Sequence, residues 1–132
     1  MSLAHGVGAL QGVKIVEIAS DAVVDCSNFE GVLFIGSFDT PGAGNSLQGR
    51  QGEASDGSDQ ANLSSSLVTT ASSEDVAVLQ IHKPRESQGA FVSVTKTGAG
   101  DMVAVLYGSR NSEVVQDAGE TVALNSISPA LA

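Results

Sequence analysis

Apolar residues along this chain fall in short runs divided by glycine, proline, serine and aspartate, and several of the runs alternate with a period of two. That pattern predicts an all-β domain with no helix longer than a turn or two. Residues 13–18 are rich in β-branched side chains and partly alternating, and residues 21–25 form a short second piece with acidic ends. The run 31–38 is apolar on both faces, which predicts a central strand buried between two layers.

Pro41, Gly42 and Gly44 then end any ladder, because proline lacks a donor and glycine favours open turns. Residues 46–53 alternate weakly and read as a solvent-facing strand. From 54 to 73 the chain is nearly all small and polar, which predicts the main loop, pinned by Leu63, Leu67 and Val68. The strongest strand signals are 76–82, 90–95 and 102–107. The last two flank the glycine-bearing stretch 96–101, which predicts an antiparallel hairpin. One more strand is expected at 121–124.

Together these elements predict an antiparallel β-sandwich, jelly-roll-like, over residues 13–125. Residues 1–12 are expected to be an N-terminal arm and 126–132 a C-terminal tail. The predicted core contains Val32, Phe34, Val78, Leu79, Val92, Val94, Val103 and Val105.

Composition narrows the class. A chain of 132 residues buries roughly two-thirds of its unfolded surface, enough for one core without staples. Only 16% of residues are charged, unlike a disordered chain. Fifteen acidic against six basic residues give a net charge of -9, which repels phosphate backbones and anionic lipid. Neither nucleic acid nor membrane is expected as a partner. The first residues lack the basic and apolar regions of a secretory signal, so a cytoplasmic site of synthesis and assembly is expected.

No pattern of catalytic or cofactor chemistry stands out. Gly42 and Gly44 begin like a dinucleotide fingerprint, but the third glycine is missing and no helix is expected to follow. His82 ends an apolar run, and among 18 serines and 15 carboxylates a triad can always be drawn, so it reads as a strand-end histidine meeting solvent or a subunit. Cys26 cannot pair internally and reads as a small buried hydrophobe. With two histidines and one thiol there is no zinc set. Glu53, Asp56, Ser58 and Asp59 offer oxygens of the kind calcium takes, at a spacing unlike the twelve-residue calcium loop, and also suit a solvated acidic turn. No cofactor, no metal and no enzymatic activity are expected. Lys83 and Arg85 are the one close basic pair on an acidic chain.

Four stretches taken in order carry a resemblance: residues 31–35; Leu47 and Gln48 leading into 55–58; residues 89–94; and residues 103–110, ending in Arg110. Over about residues 31–111 this pattern resembles the small decoration, or cement, proteins encoded beside the major capsid protein in tailed bacteriophages. Residues 59–73 depart from it, being serine-rich where family members often carry an aromatic or further acids.

The resemblance implies a virion protein on the outside of the capsid, stabilising the head by clamping neighbouring major capsid subunits, with itself as a further partner in a homodimer or homotrimer. A tail- or fibre-associated module, or a surface module gripping carbohydrate or protein, is the alternative. On the capsid reading, the arm would lie extended in a groove through Leu3, Val7 and Leu10, while Lys83 and Arg85 supply positive charge.

Overall fold

The computed structural model describes residues 12–82 and 90–108. Eight strands follow in order: β1 (Lys14–Glu17), β2 (Val24–Asp25), β3 (Gly31–Ser37), β4 (Ser46–Gly52), β5 (Ala61–Thr69), β6 (Val76–His82), β7 (Phe91–Thr97) and β8 (Met102–Tyr107). Among the described residues every regular element is a strand. They form two four-stranded antiparallel sheets, β1-β8-β3-β6 and β2-β7-β4-β5, here the first and second sheets.

The pairing is nested. β4 pairs with β5, β3 with β6, β2 with β7 and β1 with β8, each antiparallel. Such a ribbon of four strand pairs, wrapped so that successive pairs alternate between sheets and closed by β3–β8 and β4–β7, is a jelly roll. The sandwich expected from the alternating runs is the fold observed.

The core lies between the sheets and follows the period of two. Val32, Phe34 and Gly36 on β3, Ala77, Leu79 and Ile81 on β6, and Met102, Ala104 and Leu106 on β8 point inward and are buried. Leu47, Val92 and Val94 answer from the second sheet, and Val24, Cys26 and Phe38 close the ends.

Five expectations need correction. Val78 is half exposed on the outer side, and Val103 and Val105 lie on the same outer side of the first sheet rather than in the core. β3 is interior within its sheet, yet only one of its faces is buried. β4 is likewise interior within its sheet and meets solvent on one side only, with Leu47, Gly49 and Gln51 buried on the other.

The stretch 54–73 is not one loop, since nine of its residues form β5. Its serines could take a strand because β5 is an edge, where main-chain pairing to β4 is satisfied without a large apolar face. A register shift opposite Gln48 and Arg50 absorbs extra residues of β5, with Ser65 at φ +60°. Ser66 Oγ donates to the Leu63 carbonyl at 2.7 Å and closes that irregularity.

Finally, β7 and β8 are not a hairpin, because they lie in different sheets. The connection 98–101 arches between the layers. Its backbone pairs with the segment after β3, Ser37 N donating to Asp101 O at 2.8 Å and Asp39 N to Ala99 O at 2.9 Å. Gly100 holds φ +144° with its Cα against the Ser37 carbonyl, a position that rejects a side chain.

Candidate functional site

Antiparallel register gathers one end of the sandwich. β1 begins at Lys14 opposite Leu106, β6 ends at His82 opposite Gly31, and β8 ends at Tyr107 opposite the same Gly31. The described chain therefore enters at residue 12, breaks off after His82 and ends at Gly108 all at this end of the first sheet. The five-residue connection from Asp25 to Gly31 brings the end of the second sheet beside it, with Cys26 N donating to Ala90 O and Glu30 N to Tyr107 O.

Three side chains and one glycine form a cluster there. Tyr107 and His82 flank Gly31 from either side on the outer face, and the missing Cβ lets their rings meet, stacked with centroids 5.8 Å apart and planes 9° from parallel. His82 Nδ1 and Tyr107 Oη are 2.6 Å apart, and Gln80 Nε2 donates to the same Oη at 2.7 Å. A neutral His82 with its proton on Nε2 leaves Nδ1 to accept the phenol proton. The three residues thus hold one flat, polar-rimmed platform at the end of the sheet.

The β4–β5 loop lies at the same end. Asp59 accepts amide protons from Glu53 at 2.9 Å and Ala54 at 3.0 Å, and these bonds hold its carboxyl below the usual carboxylate range. Asp56 accepts from Ser58 N at 2.9 Å and is lowered likewise. Of the oxygens considered for calcium, both of Asp59 and one of Asp56 are thus turned onto the loop's own backbone. Among the described residues no group of three or more histidines, cysteines or acids could hold a metal ion. Gly42 to Asn45 is a turn leading into β4, with Gly44 at φ +107°.

Cys26 is buried, and desolvation with help from the adjacent Asp25 charge pushes its thiol up to about 12, so it is no nucleophile at neutral pH. Beside it a groove of about 360 Å³ opens between the sheets where β1 faces β2, walled by Val16, Ile18, Val24, Phe29 and Leu106 and flanked by Lys14 and Asp25.

Leu3, Val7, Leu10, Lys83 and Arg85 lie outside the described residues. What the structure adds is their point of departure, because the segments that carry them join the described chain at the single end just described. The same end carries Asp25, Glu30, Glu53, Asp56 and Asp59. The cluster of Gly31, Gln80, His82 and Tyr107 had no signal in the sequence, since His82 and Tyr107 are 25 residues apart and meet only across β3. Comparison with protein-family models, with curated proteins and with solved structures finds no match to this chain.

Proposed function

We propose that this chain is a structural, non-enzymatic protein of a phage head, bound to the outer surface of the capsid and stabilising it by bridging neighbouring major capsid subunits. The observation that carries this reading is that the described residues to which segments 1–11, 83–89 and 109–132 are joined, near Lys14, His82, Ala90 and Gly108, all lie at one end of a rigid jelly roll. A sandwich so arranged acts as a spacer with its docking elements at one pole. The fold gives supporting analogy only, because jelly rolls serve in capsid and lectin domains alike.

On this reading the arm with Leu3, Val7 and Leu10 adds as an extended strand to a groove of the capsid, and Lys83 and Arg85 contact acidic groups there. The carboxylates at the same pole oppose long-range attraction to an acidic surface, so the basic pair acts at contact range. Ordering the arm costs conformational entropy, which many weak copies on a symmetric shell, or a dimer or trimer of this chain, offset through avidity.

The test removes residues 2–12 and, separately, changes Lys83 and Arg85 to Ala, then measures occupancy on empty heads across a salt titration. Reduced occupancy of either variant is expected, and the parent's binding should weaken as salt shortens the screening length below about 8 Å. Parental occupancy of both variants at every salt concentration refutes the assignment.

A further inference from the structure

The strands at the edges of the two sheets differ in how they end their ladders. β1 has four residues and carries Lys14 and Glu17, β2 has two residues, and β5 is broken by a register shift with Ser65 at φ +60°. Shortness, charge and irregularity each discourage another strand from adding. β6, the remaining edge, has none of these devices. It runs seven residues from Val76 to His82 without charge, proline or any shift in its register with β3.

The ladder shows which groups of β6 face outward. Phe38 N donates to Asp75 O at 2.8 Å, one step beyond the pairing of Ser37 with Val76, so Phe38 and Asp75 are a hydrogen-bonded pair. Alternation along an antiparallel ladder then turns the main chain of Ala77, Leu79 and Ile81 towards β3, and that of Val76, Val78, Gln80 and His82 away from it. Among the described residues no strand pairs with that side. Val76 and Val78 are 51% and 50% exposed beside this open ladder.

We propose that two copies of this chain join there, β6 pairing antiparallel with β6 of the second copy about a two-fold axis at Leu79, so that their first sheets become one continuous sheet. Val78 then stands opposite Gln80 of the partner subunit, and Val76 opposite His82 of the partner subunit. The outward main-chain groups form about eight bonds across the axis. Each half-exposed valine gains a cross-strand neighbour, and for Val76 that neighbour is the imidazole stacked on Tyr107.

A second copy fits this edge better than an unlike strand, because β6 is complementary to itself. Glu74 and Asp75 precede it, and Lys83 follows it in the chain. Antiparallel pairing brings the acidic start of each β6 to the basic end of the other, twice in the dimer. Two molecules of net charge -9 otherwise repel, and β6 gives them an uncharged line of contact with opposite signs at its ends. A two-fold contact also closes on itself, so assembly stops at a dimer. This gives the self-association named above its surface. It rests on the geometry of β6 and is tested without capsids, so it and the capsid assignment can fail separately.

The experiment is sedimentation equilibrium of the full-length chain, without heads and in reducing buffer, over a wide range of concentration. A monomer–dimer equilibrium is expected. Gln80→Pro removes one outward N–H from each copy, a change that edge strands tolerate, and should raise the dissociation constant about tenfold or more. Gln80→Ala loses the side-chain bond to Tyr107 but keeps the amide, and should raise it less. A parent that stays monomeric, forms trimers or responds equally to the two substitutions overturns the proposal. Protection of the Val78 and Gln80 amides from hydrogen exchange in a monomeric parent would give the edge to another part of the same chain.

A cross-link decides the matter if Gln80→Pro does not fold. Chains with Val78→Cys and chains with Gln80→Cys are mixed and oxidised, while Cys26, at 2% exposure, stays out of reach. Opposed residues have Cα atoms about 5.5 Å apart, within disulfide range, whereas two copies of the same residue lie on a diagonal of about 7–8 Å. Mixed dimers well above the statistical half are expected. A statistical mixture overturns the proposal.

Discussion

Tyr107 lies across Gly31. The two are paired in the β3–β8 ladder, and a Cβ on Gly31 would stand 2.6 Å from the ring carbon Cζ and 2.8 Å from the Ile81 carbonyl oxygen. An aromatic ring covering a strand glycine shields backbone that would otherwise be bare, and here it also carries the phenol to His82 and Gln80.

Gly31→Ala is therefore expected to destabilise the fold by about 1–3 kcal/mol, the range for inserting a methyl into occupied space. Tyr107→Phe keeps the ring and loses the hydroxyl's bonds, for about 1 kcal/mol. In Tyr107→Ala the added methyl at Gly31 meets less, so a double-mutant cycle of Gly31→Ala with Tyr107→Ala should show coupling. Urea midpoints of the four proteins measure it, and additive effects would show that the ring does not press on this site.

The phase of burial on the first sheet gives a second expectation. Phe34 is fully buried and Val78 is half exposed one strand away. Phe34→Ala should cost about 3–5 kcal/mol. Val78→Ala should stay within about 0.5 kcal/mol, as surface changes do. Equal losses at the two positions in urea unfolding would contradict the observed phase.

The Cys26 thiol links stability to alkaline pH. Its pKa rises from 9.0 to about 12 on folding, chiefly through burial and secondarily through the Asp25 charge. The folded state holds this proton more tightly than the unfolded chain, so unfolding releases it once the pH exceeds 9. Stability is fully present below pH 9 and falls as pH rises towards 12. Cys26→Ala should flatten that part of the profile. A thiol reagent should react with the native protein only at the rate of unfolding.

At the acidic end the sign is opposite. Asp59 and Asp56 have carboxyls held below 3.8 by amide donors of their own loop, so the folded state binds their protons less tightly. Their contribution is present above the ordinary carboxylate range and is lost as pH falls through the lowered values. Asp59→Asn should shift the acid unfolding midpoint upward. Added calcium should leave the parent's melting temperature unchanged, because both Asp59 oxygens already accept amides. A marked rise in melting temperature with calcium would reverse the reading of this loop.

Local pattern alone determined that this chain builds strands, and roughly where. Alternation and β-branching in the runs around β1, β3, β6, β7 and β8 need no partner to be visible, since side chains of any strand point to opposite faces. Cys26 as a buried small side chain and His82 as an exposed strand end were equally legible, each following from its immediate neighbours.

Only the tertiary structure decided which strands pair, which face is inside and what meets at the poles. In β8 the valines alternate with other apolar residues and no charged position marks a face, so nothing local says that Met102, Ala104 and Leu106 turn inward while Val103 and Val105 turn out. Pairing with β3 sets that phase. The serines of β5 carry no strand signal by themselves and become a strand because the edge of β4 offers them a ladder. Gly98, Ala99, Gly100 and Asp101 suit a hairpin turn, yet the nested ribbon commits β7 to β2 and β4, and β8 to β1 and β3. Main-chain hydrogen bonds are the same for every residue type, so partner choice is a property of the whole topology and cannot be read from one run at a time.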